Sequence, residues 1–202
     1  MRDKPWFAVV YMFCVTAFFS FIIIGFAQIT KDRVKANEQL AFERAVLEVF
    51  SLAEGKTPPQ IHHTFIDEIR KEDDGAYYVR LDGDEVQGFA VVVRGKGFWA
   101  PIEGVIGVAA DKRTITAIAF YEQNETPGLG AEITRPAFGN QFEGLRLGPK
   151  ERPIGIKPFG AELADNEVHA ISGATQTCTR LEKLINKDLS KWLVGTAGED
   201  VK

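Results

Sequence analysis

Ile171-Ser172-Gly173-Ala174-Thr175 is the stretch around which the rest of the chain can be interpreted. It stands directly before a segment whose apolar residues recur at spacings of three and four, as one face of an α-helix demands. These residues are Leu181, Leu184, Ile185, Leu189 and Trp192. We therefore expect the stretch to lie at a helix N-terminus, where unpaired backbone N–H groups and the helix dipole favour a phosphate near Thr175. Gly173 and Ala174 are small enough to let a phosphate approach the backbone.

A second interpretation of these residues needs no ligand. Serine is among the favoured N-cap residues, so Ser172 as an ordinary cap and Gly173 as a loop residue explain the stretch when it is taken alone. The rest of the chain decides between the two interpretations.

Two further motifs precede this stretch, Gly97-Phe98-Trp99 and Glu125-Thr126-Pro127-Gly128-Leu129-Gly130. Taken together in their order along the chain, these two motifs and the stretch 171–175 resemble the motifs of the FMN-binding subunits of membrane redox complexes. These are the G subunit of Rnf-type ferredoxin:NAD oxidoreductase and the C subunit of the sodium-translocating NADH:quinone oxidoreductase. The resemblance implies that Thr175 carries FMN through a phosphoester, which a flavin transferase makes from FAD. That family usually has an acidic residue six positions before the acceptor threonine, where this chain has His169.

The resemblance also implies which residues contact the flavin. Thr126 and Leu129 are expected to approach the isoalloxazine ring, and Trp99 is expected to offer an aromatic face. Burial in the core is the alternative for Trp99, since tryptophan is often buried. The full set of predicted cofactor-binding residues, besides the attachment residue Thr175, is Ser172, Gly173, Ala174, Glu125, Thr126, Gly128, Leu129, Trp99 and Lys157.

Two of these predictions also have a physical basis in the residue types. Pro127 fixes one φ angle, and Gly128 and Gly130 permit tight or left-handed geometry, so a rigid turn is expected there whatever the function. Lys157 stands where the family tends to place a lysine, and a cation beside the flavin would stabilise an anionic reduced ring. A plain solvated lysine is the equal alternative.

The charge and the cysteine content of the chain exclude some classes of function. The 202 residues carry a formal net charge of −4 and no basic run, which disfavours nucleic-acid binding. The two cysteines, Cys14 and Cys178, imply no disulfide framework, because the first lies in an apolar segment that is expected inside a bilayer. Cys178 is expected to be a small buried hydrophobic residue without a redox role.

The N-terminal region is typical of a membrane anchor. Residues 6–28 are apolar, with no charge between Lys4 and Lys31, and about 20 residues of helix suffice to cross a bilayer. The apolar region exceeds the ~7–15 residues of a cleaved signal, so a retained single span is expected. Basic residues flank both ends and leave the orientation open. The resemblance implies a cytoplasmic tip at residues 1–5 and a domain on the extracytoplasmic side of the inner membrane.

Beyond the anchor, the sequence predicts a stalk helix and linker over residues 29–60, a domain over 61–194 and a polar tail over 195–202. The helix is expected from about residue 31 to 53, broken at Gly55 and then by Pro58-Pro59, and it either packs on the domain or acts as a stalk. Within the domain, four β-rich runs are expected at residues 76–81, 86–93, 105–109 and 114–121. The first two flank an Asp-Gly turn at 82–84, which predicts a hairpin. The fold class is α+β, a twisted antiparallel sheet with flanking helices on one side.

The region between the sheet and the last helix is expected to be irregular. A short helix broken at Pro136 or Gly139 is predicted over residues 131–142, and a loop over 148–160. His62 and His63 are adjacent, so their side chains point to different sides and are expected to form a polar surface pair, not a metal site. No G-x-S-x-G, Walker A or Cys-x-x-Cys pattern occurs, and an electron carrier without its own substrate turnover is expected.

The main hypothesis is a single-pass membrane subunit with covalent FMN that relays electrons between partner subunits in an Rnf- or Nqr-like, ion-translocating complex. Two alternatives stay open. One is an anchored assembly or binding domain without flavin, which His169 supports. The other is a stand-alone extracytoplasmic flavoprotein that feeds other electron carriers.

Overall fold

A computed structural model describes residues 5–73, 77–83 and 85–196. It divides the chain into two compact units, Met1–Gln39 and Leu40–Lys202. Four predictions fall at least partly outside the described residues: the cytoplasmic tip except for Pro5, the first residue of the β-rich run 76–81, the turn residue Asp84, and the polar tail beyond Thr196.

The first unit consists of the long helix α1, which runs from Pro5 to Glu48 and so continues into the second unit. Its N-terminal part is long and apolar enough to cross a membrane, with a mean hydropathy of 2.5 over the most apolar window. Large apolar side chains such as Phe13, Phe21 and Ile29 are exposed along it. A helix that is apolar on all sides and not covered by protein is typical of a membrane span. The predicted span, residues 6–28, lies inside this helix.

The second unit begins with residues that the sequence assigned either to a stalk or to a helix packed on the domain, and the second alternative holds for the end of α1. Ala45 and Val46 in the last turns of α1, and Val49 and Phe50 just after it, are buried in the domain core. The first helix already ends at Glu48, before Gly55. The two prolines at 58 and 59, which were expected to break that helix, instead begin a further helix, α2 (Pro58–Glu68). Proline is tolerated in the first turn of a helix, where its missing N–H would have no partner anyway.

The sheet confirms the predicted fold class. Five antiparallel strands follow one another in space in chain order, and they are β1 (Ile69–Glu72), β2 (Tyr77–Asp82), β3 (Glu85–Lys96), β4 (Pro101–Ala109) and β5 (Ile115–Glu122). The predicted hairpin joins β2 to β3, with Asp82 opposite Glu85. Gly83 in this turn has φ +61°, a left-handed conformation that glycine adopts without strain.

Helices cover both faces of the sheet, where the sequence predicted one. The final helix, α4 (Thr175–Thr196), packs on the face formed by Phe89, Val91, Val93 and their neighbours. The residues at the end of α1 cover the opposite face, which includes Ala90 and Val105. Successive strand residues point to opposite faces, so the unbroken apolar run in β3 requires a cover on each side.

Between β5 and α4 the chain forms short elements. Three single turns, Gly130–Thr134, α3 (Pro136–Gly139) and Asn140–Phe142, replace the predicted broken helix. The predicted loop contains β6 (Gly155–Lys157), which pairs in parallel with β7 (Glu167–His169). Strands of three residues are too short to show a period-two pattern in the sequence.

The packing of α4 on the sheet can be tested at Ile185, which is fully buried. We expect Ile185→Val to lower the free energy of unfolding by about 0.5–1.5 kcal/mol, because it removes one methylene group and leaves a small cavity. Denaturant unfolding of the full chain in detergent measures this change. Lys191→Ala, on the exposed side of the same helix, should stay within about 0.5 kcal/mol of the parent chain.

Candidate functional site

The stretch before α4 forms a tight turn. Ala174 N–H donates to the carbonyl of Ile171 at 3.1 Å, and Gly173 has φ +79°. The helix begins at Thr175, and Cys178 N–H donates to the carbonyl of Ala174, so Ala174 holds the capping position. The interpretation of Ser172 as the N-cap is therefore wrong. Glycine is required at 173 because that conformation strains any residue with a Cβ atom.

Thr175 lies at the surface in this arrangement. Ser172, Gly173 and Thr175 are exposed, whereas Ala174 is buried and fixes the turn to the domain. The first N–H groups of α4 have no partner within the helix, and the positive end of its dipole lies here. An accessible hydroxyl stands at a position that suits a phosphate group.

The loop after β5 lies directly against this turn. The N–H groups of Leu129 and Ala131 both donate to the carbonyl of Thr126 at 3.1 Å, and Gly128 has φ +74°. This is the rigid turn expected from the sequence. A Cβ atom placed on Gly173 would lie 2.9 Å from Cδ2 of Leu129, so the leucine side chain covers that glycine. Two motifs that stand more than 40 residues apart are thus in contact.

The buried side chain of Glu125 connects the loop after β5 with Trp99 and with α4. It is only 5 % exposed. Its Oε1 atom accepts a hydrogen bond from Trp99 N–H at 3.0 Å, and its Oε2 atom accepts one from the Thr177 hydroxyl at 2.8 Å. A Cβ atom on Gly97 would lie 2.5 Å from Oε1, and one on Gly130 would lie 2.8 Å from Oε2. The carboxyl group therefore ties the first two motifs to the first turn of α4, which directly follows the third motif, in a space that admits no larger residue at either glycine.

Three large apolar side chains near this connection, Phe98, Trp99 and Leu129, are exposed to solvent, and we call them the platform. Trp99 is 68 % exposed, so the alternative that it packs in the core is wrong. Phe98 and Leu129 are 40 % and 42 % exposed, and the Phe98 and Trp99 rings meet edge to face with centroids 5.0 Å apart. Large side chains exposed together are typical of a surface that a ligand or a partner covers. A planar aromatic group held near Thr175 fits this platform.

Sequence reasoning missed Thr177 and Arg180, which lie on α4 after Thr175. The Arg180 guanidinium donates to the carbonyl of Gly97 at 3.2 Å and lies 5.7 Å from the centre of the Phe98 ring. The spacing from 177 to 180 places both residues on one side of the helix, facing the loops. Thr177 and Arg180 belong to the site because they contact Glu125 and Gly97, and these contacts cannot be predicted from the sequence.

Lys157 contacts a different part of the domain. Its ammonium group lies 3.4 Å from Oε1 of Glu167, and its carbonyl accepts a hydrogen bond from Ala170 N–H, just before the motif. A backbone hydrogen bond from Ala164, followed by Lys157 itself, lowers the pKa of Glu167. Among the described residues, no ion pair or hydrogen bond joins the Lys157 side chain to the platform.

His169 stands opposite Lys157 in the pairing of β6 with β7. Its ring centre lies 5.5 Å from that of Phe159, and its Nδ1 atom is buried with no hydrogen-bond partner in the described part of the chain. His169 backbone N–H and carbonyl are both held by the side-chain amide of Gln141. The residue six positions before Thr175 is thus anchored in the domain.

Cys178 is buried, as the sequence predicted. It is 2 % exposed, its sulfur accepts a hydrogen bond from Ile171 N–H at 3.4 Å, and burial raises the pKa of its thiol. Because the thiolate is the nucleophile, a raised pKa and burial both slow alkylation. We expect Cys178 in a Cys14→Ser chain to resist iodoacetamide at pH 8 and to react once denatured, as measured by mass. Rapid labelling of the native chain would contradict this.

The two adjacent histidines form separate polar contacts. His62 Nδ1 lies 2.9 Å from the buried carboxyl of Glu43, and His63 Nδ1 lies 2.7 Å from Asp67. In residues 5–73, 77–83 and 85–196, no group of three or more His, Cys, Asp or Glu side chains is arranged to hold a metal ion.

Known proteins resemble this chain over the region that contains the candidate site. The family model described as FMN-binding domain matches residues 97–190, a range that begins at Gly97 and contains all three motifs. The C subunit of the Na(+)-translocating NADH-quinone reductase from Vibrio alginolyticus is 37 % identical over 114 residues, covering 54 % of this chain and 43 % of that protein. Its counterpart from Pasteurella multocida is 34 % identical over 119 residues, covering 58 % and 44 %. The chain thus spans less than half the length of these curated relatives.

Solved structures share the fold. The C subunit of Na(+)-translocating NADH-quinone reductase from Parabacteroides distasonis superposes with a TM-score of 0.70 at 24 % identity, covering 81 % of this chain and 94 % of that one. NqrC from Shewanella oneidensis gives a TM-score of 0.62 at 19 % identity, covering 80 % and 99 %. The α+β architecture predicted from the sequence is confirmed by both.

Proposed function

We propose that this chain, which contains an FMN-binding domain and is related to the C subunit of Na(+)-translocating NADH-quinone reductase, is a membrane-anchored electron carrier that holds FMN covalently on Thr175. One observation supports this most strongly. The exposed hydroxyl of Thr175 stands at the N-terminus of α4, and the loop that carries Leu129 covers the turn before it. This contact supports a site in which the proposed acceptor lies beside Leu129.

Attachment requires a hydroxyl that an enzyme can reach. In the proposed reaction, Thr175 Oγ1 bonds to the phosphorus on the FMN side of FAD, the P–O–P bond breaks, AMP leaves and the hydroxyl proton goes to solvent. A flavin transferase is the partner for this step. Ser172 and Gly173 leave the approach open because both are exposed, and buried Ala174 keeps the acceptor in place. The helix dipole favours the bound phosphate, although by only about 0.3–1 kcal/mol.

The remaining residues position the cofactor. Bound FMN supplies one- and two-electron redox chemistry, and the protein supplies orientation and electrostatics. Trp99 and Leu129 offer apolar surface for the ring, and the turn made by Thr126 and Gly128 presents Leu129. Glu125 acts from beneath by holding Trp99, while Lys157 adds positive charge at the neighbouring β6–β7 pair. Since the platform is open to solvent, a partner can approach the cofactor closely.

The covalent bond suits an extracytoplasmic location. We place the domain on the outer side of the inner membrane, with residues 6–28 as a single span and residues 1–5 as a cytoplasmic tip. Even a nanomolar site, worth about 12 kcal/mol, empties when its ligand is diluted far below the dissociation constant. A covalent phosphoester prevents the cofactor from dissociating. We propose that the chain passes electrons between other membrane subunits of an ion-translocating Rnf- or Nqr-like complex, and turns over no substrate itself.

The intact mass of the chain tests this proposal. After co-expression with a competent flavin transferase, we expect the mass of the polypeptide plus one FMN less one water, and a band that fluoresces under ultraviolet light in a denaturing gel. The bare polypeptide mass would support the second candidate, an anchored assembly domain without flavin. His169 at the position of the family's acidic residue is the observation that favours that candidate.

A further inference from the structure

A groove with basic walls runs along one side of α4 and past the end of β3. Its volume is about 560 Å³. Five of the residues that line it are basic: Arg94, Lys96, Arg180, Lys183 and Lys187. On a chain with a net charge of −4, so many cations on one surface form a local positive region within an acidic protein.

Only two of these five basic side chains have an acidic partner within the described residues. Arg94 lies 3.4 Å from Glu103, and Lys187 lies 3.2 Å from Asp188. Within the described residues, no carboxylate forms an ion pair with Lys96, Arg180 or Lys183. A solvated helix face can also be basic, so the charge alone does not identify a binding surface.

The groove lies next to the platform and to Thr175. One end is formed by Gln176, Thr179 and Arg180, directly after Thr175. Arg180 touches both Gly97 and the Phe98 ring, so the positive groove opens beside the platform. An exposed apolar centre with a charged rim is typical of protein–protein encounter surfaces, where the charge steers the partner and sets its orientation.

We propose that this groove docks an acidic surface of a partner protein and brings it over the platform. That the partner is a redox protein, and that a protein occupies the groove in preference to a lipid surface, rests on the proposed function; the positive charge of the groove does not. A protein fits better than an anionic lipid surface, because a bilayer lying on the groove and platform would block the approach of any electron donor or acceptor to Thr175.

The local potential can be measured with Trp99 as the probe, in the full chain in neutral detergent and without flavin. Trp6→Phe removes the other exposed tryptophan, and Trp192 is buried. At low salt we expect iodide to quench Trp99 at least about threefold better than caesium, each relative to free N-acetyltryptophanamide, since surface potentials reach several kT. The preference should fall as salt is raised. A preference for caesium, as the net charge alone would give, overturns the proposal.

Two variants with the same change of charge localise the effect. Lys183→Glu lies in the groove and should remove the preference for iodide. Arg113→Glu lies in the turn between β4 and β5, at the end of the sheet opposite Trp99, and should leave the preference unchanged. Equal quenching ratios in Lys183→Glu and the parent chain would show that the groove does not set the potential at the platform.

Docking is tested with labelled short poly-L-glutamate by fluorescence anisotropy. We expect salt-sensitive binding that Lys183→Glu weakens about tenfold and Arg113→Glu does not change, with a tenfold loss equal to ~1.4 kcal/mol. Binding that is absent, or that survives Lys183→Glu, overturns the proposal. So does binding that is lost only in nanodiscs containing phosphatidylglycerol, which would assign the groove to lipid. None of these measurements needs flavin, so a bare intact mass would refute the proposed function without altering them.

Discussion

Thr175→Ala is expected to abolish flavin attachment completely. Co-expressed with a flavin transferase, the variant should have the mass of the bare polypeptide and give no fluorescent band in a denaturing gel. The reason is chemical, because no other atom at this position can form the phosphoester. Thr175 is exposed and its side chain contributes little packing, so the free energy of unfolding should change by no more than about 0.5 kcal/mol.

Ser172→Ala is the matched control for this experiment. It removes an exposed hydroxyl three residues earlier in the same turn, without touching the acceptor. We expect this variant to keep FMN on Thr175, because the acceptor hydroxyl is intact even though a predicted cofactor contact of Ser172 is removed. Thr175→Ser, which restores a hydroxyl, should recover at least part of the attachment. A flavin adduct that persists in Thr175→Ala would disprove the assignment of the acceptor, and its loss in Ser172→Ala alone would move the assignment to Ser172.

The regular elements of the fold could be predicted because their signals are local. The spacing of Leu181, Ile185 and Leu189 gives α4, and alternating or continuous apolar runs give β2 to β5. The α2 helix was missed because Pro58-Pro59 suggests a break unless the preceding Thr57 is recognised as its cap, with Gln60 bonded back to it. The assignment of helices to one face of the sheet was wrong because an apolar side on the end of α1 does not reveal which face of the sheet it covers.

The candidate site was only partly predictable for a different reason. The motifs identify Thr175, Leu129 and Trp99 as site residues. Whether Trp99 is buried or exposed depends on a contact with a residue distant in the sequence, so it could not be predicted. Here that contact is the hydrogen bond from Trp99 N–H to Glu125, which holds the backbone and leaves the ring free. Thr177 and Arg180 carry no motif, and they join the site only because the turn at Gly173 directs α4 toward the loops.

Glu125 is the residue on which the geometry of the site depends most. Its carboxyl group is buried and accepts hydrogen bonds from both Trp99 and Thr177. Glutamine keeps both contacts, since its amide oxygen can accept from Trp99 N–H while its amide nitrogen donates to the Thr177 hydroxyl. Methionine has a similar unbranched shape and can replace neither hydrogen bond. Comparing the two variants separates the hydrogen bonds from the space that the side chain fills.

We expect Glu125→Met to lower the free energy of unfolding by about 2–4 kcal/mol, because each buried group left without its partner costs ~1–3 kcal/mol. Glu125→Gln should cost under about 1 kcal/mol and keep flavin attachment, whereas Glu125→Met should lose most of it because the loops no longer hold the platform beside Thr175. Thr177→Val completes a double-mutant cycle. It should destabilise the parent chain more than the Glu125→Met chain, with a coupling of about 0.5–3 kcal/mol. Denaturant unfolding in detergent gives the energies, and intact mass gives the attached fraction. Additive effects of the two substitutions would mean that Glu125 and Thr177 do not act together, and the bridge between the motifs would have to lie elsewhere.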